Sequence, residues 1–525
     1  MKLSPPRYLF LAVLFLLFAP PLFAQSGPPP DLDAYIARSM KVFDVPGVAI
    51  AIVKDGKVVL AKGYGVRKLD DPTPVDENTL FGIGSNTKAF TSAALASLVD
   101  AGKISWDDKV YERLKGFQMY DPYVSHEMTI RDLLTHRSGM GLGEGDLLFW
   151  PHTTYSRDDI IYRLRFMKPD SSFRSHYAYD NLMYIAAGQI IPAVTGKSWE
   201  DYIREKILQP LGMNTSNLST NAFKLGDDFA SPHSEVDGKL QVVPFMDLDN
   251  AAPAGAINSS VAEMSKWIQL QLNHGKFPGR DDRLFSERQS REMWTAQTLI
   301  PIGSEDSPLA VLRPKFSAYA LGWGIRDYQG RKLVGHSGGV SGFVTRVMLV
   351  PEENLGILIF TNAEQDAAFE SILFHVLDSY FGLPPKDWTT PFKAAVDAGE
   401  LEAEKMMAES GKSRATNSKP SLPPEKYAGT YTDAWYGPIT IRHSNGALVF
   451  SMDHTPKAVA DLQYWQYDTF KAHWRDRTIE DAFLTFTLNP DGTIDHFTMA
   501  AVSPLADFSF DYQDLWFKPG PSPAR

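Results

Sequence analysis

The 525-residue sequence contains no cysteine. That absence excludes disulfides, thiolate metal sites, a cysteine nucleophile and a lipid-anchored N-terminal cysteine. Positive charge is also scarce: 52 Lys and Arg stand against 63 Asp and Glu, a formal net charge of -11. Such a balance offers no electrostatic footprint for a nucleic-acid backbone, so nucleic acid is not an expected partner. Beyond the N-terminus the chain lacks any apolar run long enough to read as membrane-spanning. What it does have is a soluble globular composition, 44% hydrophobic and 22% charged, and length for two or three domains.

The first residues, "MKLSPPRYLFLAVLFLLFAPPLFAQSGPPP", place Lys2 and Arg7 before an apolar run from Tyr8 to Ala19, with Ala24-Gln25 as the cleavage point. This reads as a secretory signal over residues 1–24, because the run is short of the roughly 20 apolar residues of a spanning helix. Leu22 departs from the small-residue cleavage rule, which leaves an uncleaved anchor open. The expectation is a secreted or periplasmic protein with no membrane span once the signal is removed.

In "GVAIAIVKDGKVVLAKGYGVR", two β-rich runs meet at Asp55-Gly56, a strong hairpin signal. A helix should follow Ser85, with Ala89, Ala93, Ala94, Leu95 and Leu98 on one face and Gly102 as its stop. From about Trp106 to Tyr328 short helical units such as "TIRDLLTH" and "SSVAEMSKWIQLQLNHG" alternate with loops. Strands return in "KLVGHSGG", "GFVTRVMLV" and "LGILIFTN", and a helix follows in "AAFESILFHVLDSYFG". Strands, a helical insert and strands again predict one α/β domain, residues 25–397, whose sheet is built from both of its ends. Residues 398–421 turn charged and then Ser/Lys/Pro-rich, as for a helix running into a linker. The remainder, 422–525, reads as short strands, including "FSFDYQ", with hairpins at Asn445-Gly446 and Asp491-Gly492. A small antiparallel barrel or sandwich is expected there.

Ser85 and Lys88 form the chain's only Ser-x-x-Lys. On a helix, positions i and i+3 share a face, so hydroxyl and amine come within hydrogen-bonding reach. The positive end of the helix favours an alkoxide on Ser85 and disfavours a protonated Lys88, which makes a nucleophile beside its base. Taken alone, the pattern reads as an N-cap serine and a solvated lysine. Likewise Tyr179 and Asn181, in "SHYAYDNLMY", are alone a half-buried aromatic and a helix cap, and His336, in "LVGHSGGVSGF", is alone a strand histidine. Small residues after His336 permit close approach of another backbone.

Together and in this order, Ser-x-x-Lys, Tyr-x-Asn and His-x-Gly resemble the motifs of the penicillin-recognising serine hydrolases, the family of class C β-lactamases, D-alanyl carboxypeptidases, D-aminopeptidases and related esterases. The resemblance runs from about Leu32 to Leu383 and includes "LLTHRSGMG". A related variant pairs Ser-x-x-Lys with Ser-Asp-Asn and Lys-Thr-Gly. The resemblance implies a β-lactamase-like antiparallel sheet flanked by helices with an all-helical insert. It further implies that Ser85 attacks the carbonyl, that Lys88 and Tyr179 share the proton transfers, and that Asn181 orients Lys88 and substrate. Substrate contacts from His336 and Gly338, and an oxyanion hole made by the backbone N–H groups of Ser85 and Gly339, complete the implied site. No metal or cofactor is implied, and "SHEM" lacks the second histidine of a zinc-protease helix.

The chain departs from β-lactamases and transpeptidases in carrying His336 where those enzymes usually have lysine. Histidine is mostly neutral at pH 7, so efficient penicillin hydrolysis is not expected. His-x-Gly is associated within the family with D-aminopeptidases and esterases. His136 reads as a structural residue ending a helix. The C-terminal strands resemble the lipocalin-like appendage of some members, whose aromatics Trp435, Tyr436, Trp465 and Trp474 fill a small barrel, form a ligand cup, or cover the hydrolase cleft. The leading reading is a serine hydrolase acting on amide or ester bonds of small acyl, peptide or D-amino-acid-containing substrates. Its alternatives are a β-lactamase proper, a non-catalytic relative binding peptidoglycan peptides, and a scaffold carried by the barrel. The bond cleaved should depend on the loops 143–174 and 304–315. Assembly state is not set by these motifs.

Overall fold

A computed structural model describes residues 27–520 except residue 225 and residues 304–306. The expected signal segment, 1–24, lies outside the described residues, as do three positions of the 304–315 loop. The strands Gly47–Lys54 and Lys57–Lys68 pair antiparallel around Asp55-Gly56, whose φ angles of 51° and 74° suit the primed turns that match strand twist. Every residue of Gly47–Lys54 is buried. Its side chains divide by alternation, Val48, Ile50 and Ile52 entering one core and Ala49, Ala51 and Val53 the other. The neighbour on its far side is Leu355–Thr361, also wholly buried. Both ends of the larger, N-terminal part thus meet inside the sheet.

From edge to edge the nine strands run Asp71–Pro74, Lys57–Lys68, Gly47–Lys54, Leu355–Thr361, Phe343–Val350, Arg331–Val340, Gly324–Tyr328, Ser317–Tyr319 and Thr298–Leu299, every neighbour antiparallel. Helices Leu32–Val42 and Asp366–Tyr380 cover one face with Ile36, Phe369, Ile372 and Val376. On the other face Thr87–Asp100 and Val261–Leu272 pack together, Phe90 stacking on Trp267 at 3.8 Å between centroids. Thr87–Asp100 differs from the one-faced helix that its pattern predicts. Nearly all of it is buried, because helix Leu182–Thr195 and the rest of the insert enclose it.

The C-terminal part is a closed barrel of eight antiparallel strands, from Gly429–Asp433 to Trp516–Pro519. Closure removes the exposed edges of an open sheet. Tyr431, Phe450, Phe486, Phe497 and Phe517 fill its interior, with Phe497 4.8 Å from Phe517 between ring centroids. Trp435, Tyr436 and Trp474 are buried, whereas Trp465 is half-buried against Arg414.

"FSFDYQ" is not a strand. Phe508 and Ser509 lie in a turn and Tyr512–Asp514 in a 3-10 helix, because the alternating polar residues are drawn off to partners in the N-terminal part. Helix Thr389–Ser413 occupies much of the segment expected as linker. The barrel docks where the Tyr155 hydroxyl and Arg163 guanidinium donate to the carbonyls of Tyr436 and Trp435. Tyr155 also stacks on His454 at 4.1 Å, and one hydrophobic cluster runs through both parts. Among the described residues no helix is long and apolar enough to cross a membrane.

Candidate active site

Ser85 occupies the centre of a 3-10 turn, Gly84–Asn86, that leads into helix Thr87–Asp100. The turn is pressed against the strand Arg331–Val340, backbone to backbone. Gly84 has φ 51°, and a Cβ there would lie 2.7 Å from the Gly339 carbonyl oxygen and 2.8 Å from its nitrogen. A Cβ on Gly338 would lie 1.9 Å from the Ile83 carbonyl oxygen. Glycine at both positions lets the segments carrying the Ser85 and Gly339 amides come into contact. Asn86 Nδ2 donates to Thr345 Oγ1 at 2.8 Å and to the Ile83 carbonyl at 3.2 Å, pinning the turn to the next strand.

Lys88 is completely buried. Its Nζ lies 3.0 Å from Ser85 Oγ, 2.7 Å from Asn181 Oδ1 and 3.0 Å from the Ala254 carbonyl oxygen. The last two can only accept, so a neutral amine donates both its hydrogens to them and turns its lone pair toward the Ser85 hydroxyl. Burial lowers the Lys88 pKa to about 7, against the opposing pull of Asp146 and Asp180. Burial thus lowers the lysine's proton affinity more than the two carboxylates raise it.

Tyr179 presents its hydroxyl to Ser85, and Lys88 Nζ sits 4.8 Å from its ring centroid. Burial pushes the phenol well above its ordinary value, which keeps it protonated beside the lysine. Asn181 stands at the N-cap position of Leu182–Thr195 but makes no side-chain cap bond. Its amide is spent on the site instead, accepting from Lys88 and donating from Nδ2 to Asp146 Oδ2 at 2.8 Å. Asp180 takes over part of the capping by accepting the Met183 N–H at 3.3 Å.

His336 is buried, and its Nδ1–H donates to the Ser337 carbonyl, which leaves Nε2 to accept from the Tyr319 hydroxyl at 2.7 Å. Burial first, and then the nearby lysine, push its pKa down to about 3, so the ring is neutral. Together with Ser85, Tyr179, Asn181 and Gly338, it lines a cavity of about 810 Å³. Of the arginines on that wall, Arg346 lies 3.4 Å from Glu370, Arg477 pairs with Asp481 at 2.8 Å, and Arg326 donates to the Leu312 carbonyl, while the Nε atoms of Arg326 and Arg346 have no hydrogen-bond partner among the described residues. Among the described residues no cluster of His, Asp and Glu has the makings of a metal site.

Several members of the site lie outside the three motifs. His136, read from sequence as a helix terminus, is fully buried with its ring centroid 4.1 Å from that of Tyr179 and accepts the Asp180 N–H at 3.0 Å through Nδ1. Asp146 underlies Asn181, and Phe508 and Ser509 reach the cavity from the barrel. The one signal available for Asp146 was its place in "GEGDLLFW", between a glycine and an apolar run.

A family model described as Beta-lactamase matches residues 32–379, and one described as a domain of unknown function (DUF3471) matches residues 413–519. The chain is 32% identical over 448 residues to the unguisins hydrolase ungD′ of Aspergillus campestris, covering 79% of this chain and 78% of that protein. The octameric penicillin-binding protein homologue from Pyrococcus abyssi superposes with a TM-score of 0.59 at 24% identity, over 90% of this chain and 98% of that one. A D-stereospecific amidohydrolase from Streptomyces sp. gives 0.54 at 20% identity, over 66% and 98%. The two structural likenesses are likenesses of fold, whereas the family match spans more than half of the sequence and carries the serine and tyrosine that line the cavity and the lysine buried beside them: the chain belongs to the beta-lactamase family of serine hydrolases.

Proposed function

We propose that the protein is an exported hydrolase that cleaves amide or ester bonds of small acyl or D-amino-acid-containing substrates through an acyl-enzyme on Ser85. The observation that carries this reading is the set of partners around Lys88 Nζ: two obligate acceptors and one hydroxyl. In the first half-reaction the Ser85 proton passes to Lys88, Oγ bonds to the substrate carbonyl carbon, and the oxyanion accepts from the Ser85 and Gly339 amides. The C–N or C–O bond then breaks and the leaving group takes the proton, directly or through the Tyr179 hydroxyl. In the second half-reaction water gives a proton to the same amine, attacks the ester, and releases the acid while Ser85 regains its hydrogen.

The substrate class follows from charge. His336 is neutral, Arg346 lies 3.4 Å from Glu370 and Arg477 pairs with Asp481, which weakens the pull of these groups on a carboxylate beside the scissile bond. Glu235, Glu364, Glu480 and Asp507 line the same cavity and favour a substrate ammonium, while Leu142, Phe149 and Trp150 suit an apolar acyl group. These features favour a D-aminopeptidase or esterase type over a carboxypeptidase or β-lactamase. Export rests on the N-terminal sequence, and hydrolysis has further support from the relative named for unguisins. The test compares a p-nitrophenyl ester, a D-alanine p-nitroanilide and a chromogenic cephalosporin with the parent protein and Ser85→Ala. Ester or anilide turnover that collapses in the variant supports the reading. Equal rates for parent and variant on all three overturn it.

A further inference from the structure

The segment between the last two barrel strands does not stay with the barrel. Ser509 Oγ donates to Asp146 Oδ2 at 2.9 Å, and the same oxygen accepts from Asn181 Nδ2 at 2.8 Å. Asn181 Oδ1 in turn holds Lys88 Nζ at 2.7 Å. Two residues further on, Asp511 accepts the backbone N–H of Gly145 at 2.6 Å and of Leu147 at 3.2 Å, gripping the loop that bears Asp146 from both sides. That loop also reaches the other catalytic group, for Gly143 N–H donates to the Tyr179 carbonyl at 2.9 Å. Gly143 has φ 69°, and a Cβ on it would lie 2.7 Å from Phe508. The hydrolase loop is thus shaped to receive the barrel segment.

We infer that Ser509 and Asp511 of the barrel are positioning residues of the hydrolase centre, holding Asp146 and, through Asn181, the Lys88 amine where it takes the Ser85 proton. The inference rests on the reading of Lys88 as proton acceptor given above. Asp146 and Asp511 are both fully buried, and burial raises both carboxyls well above their ordinary value. Donors on Asp146 therefore decide how readily it carries the negative charge that Lys88 feels. Asp146 faces Lys88, Asp180, Asp511 and Tyr179, Asp511 also faces Asp514, and His136 and His336 face Lys88. Removing the Ser509 hydroxyl withdraws one of the two donors on Asp146 Oδ2. The carboxyl then protonates more readily, the Lys88 ammonium loses a counter-charge, and the acid limb of the rate profile moves to lower pH.

The test uses full-length protein and measures kcat, KM and the pH profile of kcat/KM for Ser509→Ala and Ser509→Thr, with thermal unfolding as the check on folding. A misplaced base costs rate rather than affinity, so Ser509→Ala should lose about tenfold in kcat with KM little changed. Its acid limb should shift downward, and Ser509→Thr, which restores the hydroxyl, should recover both. Ser85→Ala is measured alongside. If Ser85→Ala is inactive while Ser509→Ala keeps the parent's kcat and pH profile, the inference falls and the catalytic reading stands. If Ser85→Ala is as active as the parent, both fall.

Discussion

At the scale of the residue, burial does two different jobs with two basic side chains. It brings Lys88 from the ordinary amine range to about 7, where a useful fraction is neutral at physiological pH. It takes His336 to about 3, out of the titrating range and into a fixed Nδ1–H tautomer held by Ser337 and Tyr319. On the proposed mechanism the sign of the pH dependence follows, because there the unprotonated amine accepts the serine proton and its population grows as pH rises through its pKa. Tyr179 is held well above its ordinary value and cannot supply this limb. Below a lysine pKa of about 7, kcat/KM should fall about tenfold per pH unit and level off above it, the apparent value belonging to Lys88 coupled with Asp146 and Asp180. A stopped-flow or initial-rate profile with an ester substrate checks this. A profile that is flat between about pH 5 and 9 would remove Lys88 from the role of base.

At the scale of the element, the decisive contact is that of a turn with a strand. Gly338 faces the Ile83 carbonyl, a backbone atom that cannot rotate aside, whereas a Cβ on Gly339 would meet nothing within 4 Å. Gly338→Ala should therefore push the Ser85 turn off its strand, lowering stability by about 1–3 kcal/mol and kcat/KM by about a hundredfold as one proposed oxyanion donor is displaced. Gly339→Ala should leave the melting temperature near the parent's. Thermal unfolding of the two variants side by side checks the contrast, and equal melting temperatures would contradict it. The strands around this contact were legible in the sequence because β-branched runs and Asp-Gly or Asn-Gly turns are local signals. The Ser-x-x-Lys, Tyr-x-Asn and His-x-Gly motifs were legible for the same reason. What local rules misassigned was set by distant partners. Asn181 looks like a cap until Lys88 and Asp146 claim its amide, and "FSFDYQ" alternates like a strand although its serine is drawn to Asp146.

At the scale of the whole molecule, the barrel is joined to the hydrolase part by more than a tether. A single hydrophobic cluster includes Phe90 and Leu182 from one part and Tyr436 and Phe497 from the other. Polar contacts reinforce it where Tyr155 and Arg163 reach barrel carbonyls and where Asp511 takes two hydrolase amides. Separating the parts would leave the Asp511 and Asp146 carboxyls without those buried donors and expose apolar surface from both, a cost that couples their stabilities. Scanning calorimetry of the full chain should accordingly show one cooperative transition whose calorimetric and van't Hoff enthalpies agree. Weakening the interface at Tyr155→Ala should lower that single melting temperature, since the substitution removes both the ring stacked on His454 and the bond to Tyr436. Two resolved transitions in the parent, with only the barrel's shifted by Tyr155→Ala, would mean that the barrel folds as an independent appendage.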